Sequence, residues 1–354
     1  MRPSKGRRMI PASIKARQRP TDLSWQRQLA EAISSPAALL EALGLDPAVS
    51  AAMLEAADSF RVRVPWSYVR RMRYGDAADP LLRQVFADPQ ELAPQAGYSA
   101  DPLAEQAART AAGLLQKFHG RALLVTTGAC AVHCRYCFRR EFPYAEQADT
   151  PRWAEALARI AEDRSIEEVI LSGGDPLTLT DSRLGSLSQA LSRIEHVRRL
   201  RIHTRLPVVL PARVDDGLVA WLRQLPWPTV MVLHANHANE IDAEVRAACA
   251  RLAAAGVTLL NQSVLLKGVN DDAASLAALS ASVFEAGVLP YYLHQLDRVR
   301  GAAHFEVPDV EARRIAGELA ARLPGYLVPR LVREQAGAPS KLPLAPHFPA
   351  GSGC

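Results

Sequence analysis

The sequence predicts an α/β fold: an open, partial (β/α)6 barrel preceded by a helical N-terminal extension and followed by a shorter C-terminal segment. Three observations predict it. Six short apolar runs occur at Ala122–Thr127, Glu168–Ser172, Leu200–Thr204, Thr229–His234, Val257–Ser263 and Leu289–His294. Helical patterns separate them, at Trp153–Ala161, Asp181–Ile194, Asp215–Leu225, Asp242–Ala255 and Asp272–Ala286. Polar residues gather directly after each run, where parallel sheets place their chemistry. Such alternation implies parallel strands joined by right-handed crossovers. An eightfold barrel would need two more units, so the expected sheet stays open.

Along the chain, residues 1–22 read as a disordered basic tail. In the extension, 23–110, Trp25, Leu29 and Ile33, then Leu39, Leu40 and Leu43, suggest two short amphipathic helices broken near Ser34-Ser35-Pro36. Ala48–Phe60 continues the helical pattern, and Pro80, Pro89 and Pro94 punctuate a loop-rich stretch. The barrel is assigned to 111–300 and the C-terminal segment to 301–354.

The chain has 354 residues and is 49% apolar, ample for a large core. Its net charge of +5 is dispersed, except at Arg2-Pro-Ser-Lys5-Gly-Arg7-Arg8, which reads as a solvated tail rather than a nucleic-acid arm. No aromatic and basic platform for single-stranded nucleic acid is present. No run approaches the ~18 consecutive apolar residues of a membrane span. Five cysteines, three in one loop, do not form a disulfide framework and fit a reducing, cytoplasmic location.

The three are Cys130, Cys134 and Cys137, spaced C-x3-C-x2-C directly after the first apolar run. A [4Fe–4S] cube is normally tied by four cysteines, so three leave one iron open to a small chelating ligand. The amino and carboxylate groups of S-adenosylmethionine (SAM) suit that position. Structural zinc is the alternative, but it usually takes four ligands in two spaced pairs, and His133, lying between two cysteines, would strain a tetrahedron.

The other strand ends are also polar. The second ends in Ser172-Gly173-Gly174-Asp175, where two glycines allow close approach of a ligand and carbonyls with the Asp carboxylate suit an ammonium group. Arg205 follows the third, His234 and His237 the fourth, Gln262 the fifth, and Asp297 the sixth. Two imidazoles three residues apart could begin a metal site; with no carboxylate at convincing spacing, hydrogen-bonding roles are favoured.

These motifs carry a family resemblance. Cys130–Tyr144, Leu171-Ser-Gly-Gly-Asp-Pro-Leu177, Arg201-Ile-His-Thr-Arg205, Asn261-Gln-Ser-Val-Leu-Leu266 and Tyr291–Asp297 resemble the lysine 2,3-aminomutase family of radical SAM enzymes, from about residue 95 onward. The stretch 134–144 looks most like the branch that supplies (R)-β-lysine for modification of elongation factor P. The resemblance implies a [4Fe–4S] cluster on Cys130, Cys134 and Cys137, SAM, and pyridoxal 5′-phosphate (PLP). It implies L-lysine as substrate, a flavodoxin- or ferredoxin-like reductant, and a functional link to elongation factor P and its lysyl-ligase.

By resemblance Lys341 matches the PLP Schiff-base lysine; read alone it would be a surface lysine. Gly337-Ala-Pro-Ser in front of it gives the mobility that such a lysine needs. Lys117 and Arg121 match PLP-phosphate contacts, a point charge and a bidentate fork. Gly173, Gly174, Asp175 and Gln262 fall at cofactor-binding positions. Tyr136 packs either near the adenine or in the core. Arg139 matches the substrate α-carboxylate contact, and Asp297 with Glu334 the pair that holds the distal ammonium. Catabolic members carry Asp where this chain has Glu334. They also carry extra C-terminal cysteines for an intersubunit zinc; neither Cys249 nor Cys354 replaces these, so no zinc is expected. An aminomutase for arginine or glutamate, and a non-catalytic Fe–S protein, are the rival readings. Two carboxylates at the side-chain end argue against glutamate.

Overall fold

The computed structural model describes residues 23–45, 54–58, 60–144 and 150–348. The predicted tail 1–22, Cys354 and most of the Ala48–Phe60 stretch lie outside the described residues; its part at 54–57 is helical. The two N-terminal helices are α1 (Trp25–Ala30) and α2 (Pro36–Leu43). Ser24 and Ser35 cap their N-termini, and Gly44, at φ 61, takes the left-handed position that ends α2.

One ten-stranded sheet runs in chain order. Its strands are β1 (Arg109–Ala111), β2 (Leu114–Phe118), β3 (Arg121–Thr127), β4 (Glu168–Gly173), β5 (Arg199–Thr204), β6 (Thr229–His234), β7 (Thr258–Val264), β8 (Leu289–His294), β9 (Arg330–Arg333) and β10 (Leu342–Pro343). Strands β3 to β9 pair in parallel, with an antiparallel pair before them and β10 antiparallel after. The crossover helices are α3 (Thr150–Glu162), α4 (Asp181–Leu191), α5 (Asp216–Arg223), α6 (Ala243–Ala254), α7 (Ala273–Glu285) and α8 (Asp309–Arg322). Asp215, Asp242 and Asp272 each accept a backbone N–H of the helix they precede, which is why α5, α6 and α7 begin where they do.

All six predicted strands are present. A seventh parallel unit, α8 with β9, continues the sheet into the C-terminal segment. Its strand has only Leu331 and Val332 between two arginines, too little apolar sequence to stand out.

Side chains alternate between two environments. Val169, Leu171, Leu200, Ile202, Met231 and Leu233 are buried on the face covered by helices, where the main core lies. Ile170, Ser172, Arg201, His203 and His234 face an interior cavity instead.

The sheet is strongly curved. Seven strand spacings separate β2 from β9, which in a flat sheet would be about 34 Å. Yet Lys117 Nζ on β2 lies 2.8 Å from Glu334 Oε1, the residue after β9. Backbone pairing does not join these strands; side-chain charge bridges the open side.

The extension clamps onto the loops at the strand ends through buried polar contacts. Arg71 donates to Val208 O at 2.7 Å and Ser67 to Val209 O at 2.6 Å. Glu91 receives Arg135 Nε at 2.8 Å and Arg140 Nη1 at 3.1 Å, both from the cysteine loop. Glu91→Ala strands two buried guanidinium groups and is expected to lower unfolding stability by about 3–5 kcal/mol in urea denaturation.

Candidate active site

A cavity of about 390 Å³ opens inside the curved sheet. Cys130, Cys134 and Cys137 line it as free, half-buried thiols. Burial, then Cys137, pushes the Cys130 thiol far up, and burial, then Cys134, pushes Cys137 up to about 11. Crowded thiols of this kind favour a bound cationic centre over three free thiolates. Among the described residues no three His, Cys, Asp or Glu groups converge on one ion. Three thiols on one short loop suit a cube, whose irons occupy separate corners. Arg205 Nη1 donates to Cys134 Sγ at 2.8 Å. The cysteines therefore fit a cluster. His133 turns its Nδ1 to Arg61 O at 2.9 Å.

The Gly173-Gly174 step holds the cysteine loop against β4. A Cβ on Gly174 would lie 2.3 Å from Ala129 O, and one on Gly173 2.5 Å from Thr127 O. Gly173 also has φ 125, in the region that favours glycine. The expectation of two glycines serving ligand approach is thus refined: their first requirement is close backbone packing beside the cysteines.

Asp175 also differs from expectation. Its carboxylate is occupied by Thr204 Oγ1 at 2.7 Å and by backbone N–H groups of Arg205 at 2.7 Å, Leu206 at 3.1 Å and Leu177 at 3.1 Å. Burial raises it to about 6 against these donors. It fixes the β5 turn that aims Arg205 rather than offering a free carboxylate to an ammonium. Arg205 further donates to Gln84 at 2.7 Å, Glu240 at 2.9 Å and Tyr68 at 3.1 Å. Tyr136 OH accepts from Asn236 at 2.7 Å, its ring meets Phe305 edge-on, and it lines the cavity.

Across the cavity runs an unbroken series of alternating charges. Arg139 meets Glu105 through Nε at 2.6 Å and Nη2 at 2.7 Å. Glu105 reaches Lys117 at 3.0 Å, Lys117 reaches Glu334 at 2.8 Å, and Lys341 reaches Glu334 at 3.1 Å. Burial alone would raise Glu334, but Lys341 and Lys117 outweigh it and hold it at about 2. Asp297 goes the other way: burial, then Glu334, raises it to about 7. Arg121, stacked on Phe118 at 5.2 Å, lines the same wall. Lysine, arginine and carboxylate groups so placed fit PLP, with amine, phosphate and substrate contacts each available on one wall.

The histidines here are neutral. Burial, then Arg201, lowers His203; burial, then Lys341, lowers His294; burial, then Arg205, brings His234 to about 3. His294 Nε2 lies 3.3 Å from Lys341 Nζ, and His234 Nε2 lies 2.9 Å from Gln262 Nε2. His237 is turned away and caps a helical turn, its Nδ1 accepting from Asn239 N at 3.1 Å. The hydrogen-bonding reading of His234 and His237 matches these contacts.

One cavity thus brings together Cys130, Cys134, Cys137, Lys117, Arg121, Arg139, Gln262, Asp297, Glu334 and Lys341. Glu105, Gln84, Glu91 and Glu240 were not singled out from the sequence. Their partners around the cavity lie far away in the chain, and local spacing marks Glu91 and Glu240 only as capping-box acids, with Asp88 and His237.

A thiol trio at one strand end and a polar cavity inside a parallel partial barrel define a radical SAM enzyme, and residues 124–279 match the Radical SAM superfamily. An L-lysine 2,3-aminomutase from Escherichia coli is 50% identical over 327 residues, which cover 92% of this chain and 95% of that protein. One from Haemophilus influenzae is 48% identical, over 90% of this chain and 94% of its own. One from Clostridium subterminale is 33% identical, over 92% and 78%. The chain belongs to the lysine 2,3-aminomutase family and is an isomerase of the aminomutase type. A [4Fe–4S] cluster and SAM come with that family. No helix among the described residues is long and apolar enough to cross a membrane.

Gly174→Ala drives a Cβ into the backbone of the cysteine loop. It is expected to cost about 1–3 kcal/mol of stability and to lower iron content after reconstitution, read by denaturation and metal analysis.

Proposed function

We propose that the protein is a PLP-dependent L-lysine 2,3-aminomutase that forms β-lysine. The observation that carries the reading is the placing of Lys341 in one cavity with the three cysteines and with two carboxylates, Asp297 and Glu334. Cys130, Cys134 and Cys137 would hold the cluster, with Gly173 and Gly174 keeping side chains out of the space beside them. Gln262, tied to His234, would take SAM, and Tyr136 would wall that site. Lys341 would carry PLP, with Lys117 and Arg121 on its phosphate. When bound, the reduced cluster with SAM supplies a hydrogen-abstracting radical, and PLP supplies a conjugated system that spreads the spin during the 1,2-shift of nitrogen.

The chain's own residues position and shield. Arg139 has five N–H donors and spends three on Glu105 and Ser172. The remaining two suit an unblocked α-carboxylate, which favours free lysine over lysine in a protein. Asp297 and Glu334 suit the distal ammonium. Glu334, one methylene longer than Asp, touches Lys117 and Lys341 at once; an arriving ammonium would replace one of these partners. Neutral His294 can accept a hydrogen bond from the Lys341 amine.

The wider setting is carried by the resemblance: a reducing cytoplasm, a flavodoxin- or ferredoxin-like donor, and β-lysine destined for elongation factor P through its lysyl-ligase. The greater identity to the Escherichia coli relative than to the clostridial one supports that branch.

The test is anaerobic turnover of reconstituted protein with PLP, SAM, dithionite and L-lysine, read by chiral mass spectrometry. β-Lysine should form, and should vanish in Cys134→Ala and Lys341→Ala. Cleavage of SAM with lysine left unchanged would reject the substrate assignment.

A pH dependence follows from Asp297. Its raised value means that it is protonated below about pH 7 and gains its charge above it. An ionised carboxylate attracts the substrate ammonium, so kcat/KM for lysine should rise with pH through an inflection near 7. Asp297→Asn should lose most of the activity and flatten the inflection.

A further inference from the structure

Glu105 sits between two groups given different tasks above. One oxygen takes Arg139 Nε at 2.6 Å; the other takes Arg139 Nη2 at 2.7 Å and Lys117 Nζ at 3.0 Å. It is 2% exposed, yet it lines the cavity. It precedes β1 and belongs to the stretch that joins the extension to the sheet. Burial works to raise this carboxyl, and Arg139 and Lys117 outweigh it and hold it below the usual carboxylate range.

A second, independent observation concerns the backbone. Ala104 has φ 50, the one non-glycine residue with positive φ among the described residues. A left-handed alanine is unfavourable and persists only where its surroundings fix it. Here Asp101 holds the turn, its carboxylate accepting from Glu105 N at 2.8 Å and Gln106 N at 3.1 Å. The strained turn delivers the Glu105 carboxylate to the two cations.

We infer that Glu105 is a positioning residue that couples the substrate-carboxylate arginine, Arg139, to the cofactor-phosphate lysine, Lys117, and so sets the distance between amino acid and PLP; this rests on the reading just proposed. Glu105 fixes one edge of the Arg139 guanidinium, leaving two N–H groups in a defined direction. It also shares Lys117 with Glu334. When an arriving ammonium draws Glu334 away, or a phosphate displaces it from Lys117, Glu105 still holds Lys117 in place. The rings of Phe138 and Phe142, 4.8 and 5.8 Å from the Arg139 guanidinium carbon, keep that side chain packed if Glu105 is removed. Loss of Glu105 should therefore loosen aim rather than unfold the site.

The experiment compares reconstituted wild type with Glu105→Gln, which keeps the volume, and Glu105→Asp, which keeps the charge but shortens the reach. PLP affinity is titrated by absorbance, lysine KM and kcat by β-lysine formation, and iron content and SAM binding are controls. Glu105→Gln should weaken PLP and raise lysine KM, each by about tenfold or more, the scale of a lost hydrogen bond to a charged group. Iron content and SAM binding should stay as in wild type, and Glu105→Asp should recover part of the loss. Unchanged PLP affinity and KM in Glu105→Gln would overturn the inference. So would loss of iron together with PLP in both variants, which would make Glu105 purely structural. If wild type leaves lysine untouched, the proposed function fails in wild type alone, and Glu105 is then judged on PLP affinity.

Discussion

The structure depends on how an open sheet is closed. Ten strands in chain order curl until the two ends of the sheet face each other, and among the described residues, apart from the isolated bridge of Ser99 to Val299, backbone hydrogen bonds do not join them. Charge does: Lys117 near one end and Lys341 near the other share the carboxylate of Glu334. A ladder would have sealed the cavity. Ion pairs between side chains leave an entrance that ligands of the right charge can open, because Lys117 and Lys341 can exchange the shared Glu334 for ligand groups while Glu105 keeps its hold on Arg139.

This closure also explains the division of labour around the cavity. At the cysteine end, the geometry is fixed by backbone contact and by buried networks. Gly174 lets Ala129 approach, Asp175 builds the turn before Arg205, and Gln84 and Glu240 hold the Arg205 guanidinium. At the lysine end, the contacts are between long side chains on strands and a hairpin loop. A rigid half beside an adjustable half suits a reaction in which one partner must be held still while amine groups exchange. The extension belongs to the rigid half, since Glu91 grips Arg135 and Arg140 on either side of Cys137.

The legible part of this protein was whatever repeats or clusters locally. The alternation of Val169–Leu171 or Leu259–Leu260 with capped helices marks six strands, and the spacing of Cys130, Cys134 and Cys137 marks a cluster loop before any fold is known. Lys341 is marked only by resemblance, because one lysine behind Gly337-Ala-Pro-Ser has no chemical signature of its own. The illegible part is long-range. Glu91 acts through Arg135 and Glu105 through Arg139, both more than thirty residues away, and their neighbours in sequence say nothing of it. Strand β9 escaped because two apolar residues between arginines are too few for a period. Asp175 was assigned to a ligand because sequence shows the carboxylate but not the four donors that already occupy it.

We propose that PLP attaches at Lys341, in the charge-bridged opening of the sheet. Reduction of the PLP-loaded enzyme with borohydride, followed by peptide mapping, tests it most directly. One pyridoxyl group is expected, on Lys341. Label on Lys117 or Lys267, or reduction with no stable label, would contradict it.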